Sequence, residues 1–246
     1  MRVLVVGGSG YVGSLVLPML AQHHVLRVFD LRPPSESQWE YAEGSIGDFH
    51  ALRRAAEGMD VLLYMAMGSK EFATPEAIAT NFDVNVKGVY LALLAAHEAS
   101  ITHAVYTSSM SVYDGDLMTQ YFADEDMPPD ATHFYGLTKR MGEDMCRNAA
   151  QVWNMSVNAL RLCHPTPDDR WRAETTPNVP TIATAGSDVA RALLVALEYR
   201  GGGFEAFMIG GDYRQKILNM AKARRLLDWE PLLRPPTTDD RPPETV

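Results

Sequence analysis

The sequence predicts an α/β protein built on a doubly wound parallel sheet, with a reduced C-terminal region. Three observations carry this. Short apolar runs alternate with helical stretches through the first two thirds of the chain, the pattern that lays helices on both faces of a parallel sheet. The first run ends directly in a glycine-rich turn, Gly7-Gly8-Ser9-Gly10-Tyr11-Val12-Gly13. Apolar residues make up 46% of the 246 and charged residues 22%, enough to build a large core and too apolar for a disordered chain.

Residues 2–6 form a continuous apolar strand of the kind buried on both faces. A helix follows over 11–22, with Pro18 expected to kink or weaken it. A second strand over 25–30 ends on Asp30. A helix over 49–57 precedes a strand over 61–65, and a long helix over 75–99 precedes a strand over 104–108. The helix over 135–153 leads to a strand over 156–161. The prolines of 165–180 predict an irregular loop across the strand ends. A helix over 187–199 with Ser187 as its N-cap, a short strand over 204–209 and a terminal helix over 219–227 complete the order. The proline-rich stretch 231–246 reads as extended or disordered.

The chain carries 22 basic and 31 acidic residues, a formal charge of −9. An acidic surface repels phosphate backbones, so nucleic acid is not an expected partner. No apolar run approaches the roughly 20 residues of a membrane span, and no leader is apparent at the start. Cys146 and Cys163 read as free thiols of a reducing compartment, the cytoplasm. The seven histidines form no ligand-spaced set, and metal binding is not expected.

In the glycine turn, Gly7 allows the tight turn, Gly10 lets a pyrophosphate approach backbone, and Gly13 lets the helix pack on the sheet. Ser9, Tyr11 and Val12 lie in the same turn and are expected at the cofactor, as is Ala66 at the end of the strand over 61–65. Asp30 falls where a carboxylate accepts both adenosine ribose hydroxyls, which favours NAD over NADP. Arg32, two residues on, is placed to meet a 2′-phosphate. Asp48 is either an adenine contact or a helix N-cap.

Tyr135 and Lys139 sit four residues apart on one helix face. A free phenol has a pKa of about 10, and a nearby cation lowers it toward the range of a useful base. Ser109 follows the run over 104–108 at the carboxyl edge of the sheet, where a hydroxyl can share developing negative charge. Ser108 and Ser111 rival it. Asn85, mid-helix, either bonds backbone at the site or is a satisfied buried amide.

Gly7-x-x-Gly10-x-x-Gly13, Asp30, Gly47-Asp48, Asn85-Val-Lys-Gly88, Thr107-Ser-Ser-Met-Ser-Val-Tyr113, Tyr135-x-x-x-Lys139 and Arg161 resemble, in that order, the extended short-chain dehydrogenases/reductases of the NAD-dependent epimerase/dehydratase family. The resemblance implies a Rossmann fold, with an NAD(P)-binding core over 1–163, a small substrate region with returning core elements over 164–230, and a tail over 231–246. It implies a nicotinamide cofactor, with Lys139 on its ribose, and a catalytic group of Ser109, Tyr135 and Lys139. It also implies a homodimer through the two long helices.

A shorter subgroup, the uronate dehydrogenases, is similar in length. By that similarity Ser69 and Arg172, rather than Arg170, are expected at the substrate, with Arg172 clamping a carboxylate. His164, just past Arg161 at a strand end, and Met110, where that subgroup often has Asn, are the further substrate-side candidates. The expected activity is hydride transfer between NAD and a hydroxyl of a small sugar, sugar acid or polyol. An epimerase with transient hydride transfer and a non-catalytic NAD(P)-binding sensor are the alternatives. A dehydratase needs carboxyl groups beside the serine, where this chain has Met110 and Ser111.

Overall fold

The computed structural model describes residues 1–236. Seven parallel strands form one sheet in the order β3-β2-β1-β4-β5-β6-β9. They are β1 (Arg2–Val6), β2 (Val25–Asp30), β3 (Glu40–Glu43), β4 (Val61–Tyr64), β5 (His103–Ser109), β6 (Ser156–Leu162) and β9 (Phe204–Ile209). The helices α1 (Tyr11–Leu20), α2 (Phe49–Ala56), α3 (Pro75–Phe82), α4 (Gly88–Glu98), α5 (Phe134–Trp153), α6 (Asp168–Glu174), α7 (Gly186–Glu198) and α8 (Ala221–Leu227) connect them, with a small pair β7 (Pro165–Thr166) and β8 (Thr184–Ala185) above the strand ends.

Alternation along β1 explains the two layers. Val3 and Val5 face one core, which holds Val16 and Leu17 of α1 and Val189 and Leu193 of α7. Leu4 and Val6 face the other, with Leu52 of α2, Leu93 of α4 and Cys146 of α5. Strand order reverses between β1 and β4, so a crevice opens beyond their carboxyl ends, the place where such sheets bind ligands. Strand β9 returns from the C-terminal third to pair with β6, carrying that third back into the main sheet.

Several expectations are corrected. Strand β3 is an edge strand without an apolar run. The predicted helix over 75–99 is three pieces, because a π-helical turn over Asp83–Lys87 separates α3 from α4. Helix α1 continues through Pro18, whose side is exposed. The 165–180 stretch contains β7 and α6, pinned by the buried Trp171, whose indole donates to Ala183 O at 2.6 Å. Ser187 is not the cap of α7: Asp168 reaches across and its Oδ1 accepts from Ser187 N at 2.9 Å. Residues 231–236 carry no helix or strand, yet Leu232 N and Leu233 N donate to the two carboxylate oxygens of Asp188. Residues 237–246 of the predicted tail lie outside the described residues.

Candidate active site

The turn after β1 is shaped by contact with the segment that follows β4. Gly7 has φ +84°, and a Cβ there would lie 2.3 Å from Ala66 N and Cα. Ala66 is thus the floor beneath the turn. Gly10 occupies the N-cap of α1 and no side chain caps that helix, leaving its first N–H groups for an anion. Asp30 fastens the turn to β2: its Oδ2 accepts from Ser9 N at 3.1 Å and its Oδ1 from Arg32 N at 3.2 Å. Ser9 Oγ donates to Arg32 O at 2.7 Å. Arg32 and Tyr11 are exposed, and the Tyr11 hydroxyl donates to Pro165 O at 3.1 Å. Asp48 caps α2, its Oδ1 accepting from Ala51 N at 3.0 Å. This crevice, with its open helix end and an acid at the tip of β2, fits a dinucleotide.

Ser109 is the last residue of β5, and its Oγ accepts from Ser111 N at 3.1 Å in the 3₁₀ turn that follows. Helix α5 starts against that turn. His133 caps it through Nδ1, which accepts from Gly136 N at 3.2 Å. A Cβ at Gly136 would sit 2.1 Å from Ser111 O, so glycine lets the helix come this close. The approach brings Tyr135 into the same cleft as Ser109.

Lys139, one turn further, is buried and donates from Nζ to Thr107 O at 2.9 Å. Its Nζ stands 6.0 Å from the Tyr135 ring centre and 5.0 Å from that of Tyr106. Burial lowers the Lys139 ammonium to about 8, although Glu143 favours its charge. The Tyr135 phenol is raised by burial, which outweighs the hydrogen bond from Ser109. The expected cation effect does not dominate in the protein alone.

Beneath the three lies a network that the sequence reading missed. Arg161 donates from Nε to Glu143 Oε1 at 3.0 Å and from Nη2 to Oε2 at 2.9 Å. Ser108 Oγ donates to the same Oε1 at 2.7 Å, and Arg161 Nη1 donates to the Tyr113 hydroxyl at 2.5 Å. Ser108 lines the same cleft, but its hydroxyl is spent on Glu143, which weakens it as a rival to Ser109. The available signals were a charged residue in a wholly buried strand, which demands a partner, and Glu143 one turn after Lys139. Asn85 is a satisfied buried amide in the π-helical turn. Its Oδ1 accepts from Gly68 N at 3.1 Å and its Nδ2 donates to Thr138 Oγ1 at 3.1 Å, tying the loop after β4 to α5.

Ser109, Tyr135 and Lys139 open onto one cleft of about 250 Å³. Met110 and His164 line it, and Val12 of the turn lines it too. Ser69 and Arg172 are not among its lining: Ser69 Oγ accepts from Glu71 N at 3.0 Å, and Arg172 is exposed on α6. His164 has φ +40° and is exposed at the mouth. A larger hollow of about 410 Å³ between β2, β3 and α2 contains none of these residues. Among the described residues no group of three or more His, Cys, Asp or Glu could hold a metal ion, and no helix is long and apolar enough to cross a membrane.

An open parallel sheet, a glycine turn after β1 and Ser/Tyr/Lys side chains meeting beyond β5 define the short-chain dehydrogenase/reductase class. The chain belongs to the NAD dependent epimerase/dehydratase family, which it matches over residues 3–177. It is 32% identical over 161 residues to the uncharacterized protein y4nG of Sinorhizobium fredii, covering 64% of this chain and 39% of that one. It is 38% identical over 123 residues to a 3 beta-hydroxysteroid dehydrogenase/Delta 5-->4-isomerase of Mycobacterium tuberculosis, covering 46% of this chain and 33% of that one. The chain therefore spans between a third and two fifths of these relatives' lengths. The solved uronate dehydrogenase from Agrobacterium tumefaciens shares its fold with a TM-score of 0.79 at 20% identity, covering 94% of this chain and 84% of that one.

Proposed function

We propose that the protein is an NAD-dependent oxidoreductase interconverting a secondary hydroxyl and a carbonyl on a small molecule. The observation that carries this is the meeting of Ser109, Tyr135 and Lys139 in one cleft beside the glycine turn. Gly7, Ser9, Gly10, Tyr11, Val12, Gly13 and Ala66 would hold the pyrophosphate side of NAD, and Asp30 the adenosine ribose, with Arg32 and Asp48 flanking it. Asn85 holds the loop that closes over this region. When bound, NAD accepts or returns the hydride.

Tyr135 takes the hydroxyl proton in oxidation and gives it back in reduction. Ser109 hydrogen-bonds the same oxygen and stabilises its developing charge. Lys139 favours the phenolate by its charge and reaches the nicotinamide ribose. Met110 and His164 meet the substrate. The resemblance points to a sugar, sugar acid or polyol, with Ser69 and Arg172 as further contacts. The exposed Phe82, Tyr90 and Val152 on α3, α4 and α5 support a homodimer through these helices, and the free, buried thiols of Cys146 and Cys163 support a cytoplasmic setting.

The test is NADH absorbance with purified protein, NAD and a panel of uronic acids, sugars, polyols and simple secondary alcohols. NADH formation abolished in Tyr135→Phe supports the assignment. NAD binding without NADH from any compound moves the reading to an epimerase or a sensor.

A further inference from the structure

The lining of the cleft divides into two chemical halves. One holds Ser109, Ser111, Tyr135, Lys139 and His164. The other is apolar and sulfur-rich: Met65, Met67, Met110, Leu117, Leu162 and Cys163. Two more polar residues of the lining are already occupied, since Thr107 Oγ1 donates to Tyr64 O at 3.2 Å and Ser108 Oγ donates to Glu143. Among the described residues, no carboxylate, side-chain amide or guanidinium lines the cleft. A sugar presents hydroxyls around its whole ring, and each one stripped of water against the sulfur-rich wall without a partner costs about tenfold or more in affinity.

We infer that the cleft takes its reacting carbinol or ketone on an apolar, ring-sized body: a small aromatic or alicyclic secondary alcohol or its ketone. The polar half meets the single oxygen and the sulfur-rich half covers the ring. Methionine suits the second task because its unbranched thioether adapts to a flat ring and makes favourable sulfur–aromatic contacts. The inference rests on the oxidoreductase reading and sets an apolar substrate in place of the sugar to which the resemblance points. In the oxidation the carbinol C–H leaves as hydride to NAD, the O–H proton passes to Tyr135, and the C–O bond becomes C=O.

The experiment pairs turnover with binding. NADH formation is followed with 1-phenylethanol, cyclohexanol, glucose and galacturonate, and acetophenone is titrated calorimetrically into the protein with NAD, a pairing that cannot turn over, at several temperatures. Expected are a kcat/KM for 1-phenylethanol at least a hundredfold above galacturonate, and acetophenone binding with a negative heat-capacity change. Met67→Gln, at an exposed position that leaves the core intact, is expected to weaken acetophenone about tenfold while NAD affinity stays unchanged. Preferential oxidation of galacturonate or glucose, or acetophenone binding untouched by Met67→Gln, overturns the inference and leaves the oxidoreductase reading standing. Acetophenone binding as expected, with no NADH from any alcohol, supports the apolar cleft and defeats the oxidoreductase reading.

Discussion

Glu143 and Arg161 are joined by two parallel hydrogen bonds, at 3.0 and 2.9 Å, between α5 and the carboxyl half of β6, with both side chains almost wholly buried. Glu143 also accepts from Ser108, the neighbour of Ser109, and lies one turn past Lys139 on the same helix. The pair therefore fixes α5 against β5 and β6 at the level of the candidate catalytic side chains.

Removing one partner leaves the other charge buried and unpaired, which costs about 3–5 kcal/mol. Glu143→Gln is expected to lose that much in denaturant unfolding. Pairing it with Arg161→Met should recover a large part, because neither charge then remains. Equal stability of Glu143→Gln and wild type would show that the pair does not hold this joint.

A second prediction concerns Asp30. Its two oxygens already accept from Ser9 N and Arg32 N, so the residue both fixes the turn and places negative charge at the tip of β2. Asp30→Asn keeps one acceptor oxygen and removes the charge. Fluorescence titration should show NADH binding weakened about tenfold and the preference for NADH over NADPH reduced, an amount in keeping with one lost charged hydrogen bond. An unchanged ratio would place the discrimination elsewhere.

The strands and the catalytic candidates were legible because their signals are local. A buried parallel strand is a continuous apolar run, and Tyr135 and Lys139 share a helix face by spacing alone. What escaped the sequence is non-local or weakly patterned. Strand β3, Glu40–Glu43, has no apolar run and holds the sheet edge, with Glu40 tied to Arg2 and Arg27 by surface ion pairs. The cap of α7 comes from Asp168 on α6, so Ser187 looked right only because the distant carboxylate was invisible. The π-helical turn at Asn85 keeps helical spacing closely enough to read as one helix, while its amide is spent on Gly68 and Thr138. The substrate side was least legible of all: Met110 lines the cleft, while Arg172 stands exposed on α6 and Ser69 lies outside the lining, because tertiary packing and not spacing decides what reaches the cleft.

His103 at the start of β5 predicts acid sensitivity. It is buried, and its two ring nitrogens face Ser156 O at 2.9 Å and Ala196 O at 3.0 Å. Burial lowers its pKa to about 4, with Arg200 acting in the same direction and the two carbonyls opposing. The unfolded chain binds the proton near pH 6.5, so this stability is complete above pH 6.5 and is lost as pH falls toward 4. The loss amounts to about 3 kcal/mol. Denaturant unfolding at pH 7, 5.5 and 4.5 should show it in wild type, with a shallower pH dependence in His103→Gln. Parallel pH profiles for the two proteins would remove His103 as the cause.

The raised phenol of Tyr135 and the lowered ammonium of Lys139 shape the last prediction. Oxidation needs the phenolate, so its kcat/KM should climb as pH rises from 7. Reduction needs the phenol, which is present throughout that range, and should stay level. Lys139 loses its proton through about 8, which withdraws support for the phenolate and bends the oxidation profile downward at higher pH. Tyr135→Phe should lower both directions by roughly 10²–10⁴-fold, the usual contribution of a positioned acid or base. Lys139→Met should shift the rising limb upward in pH, because the phenolate then lacks its nearest cation. A Tyr135→Phe protein that keeps the wild-type rate and slope would remove Tyr135 from the reaction and leave its contact with Ser109 structural.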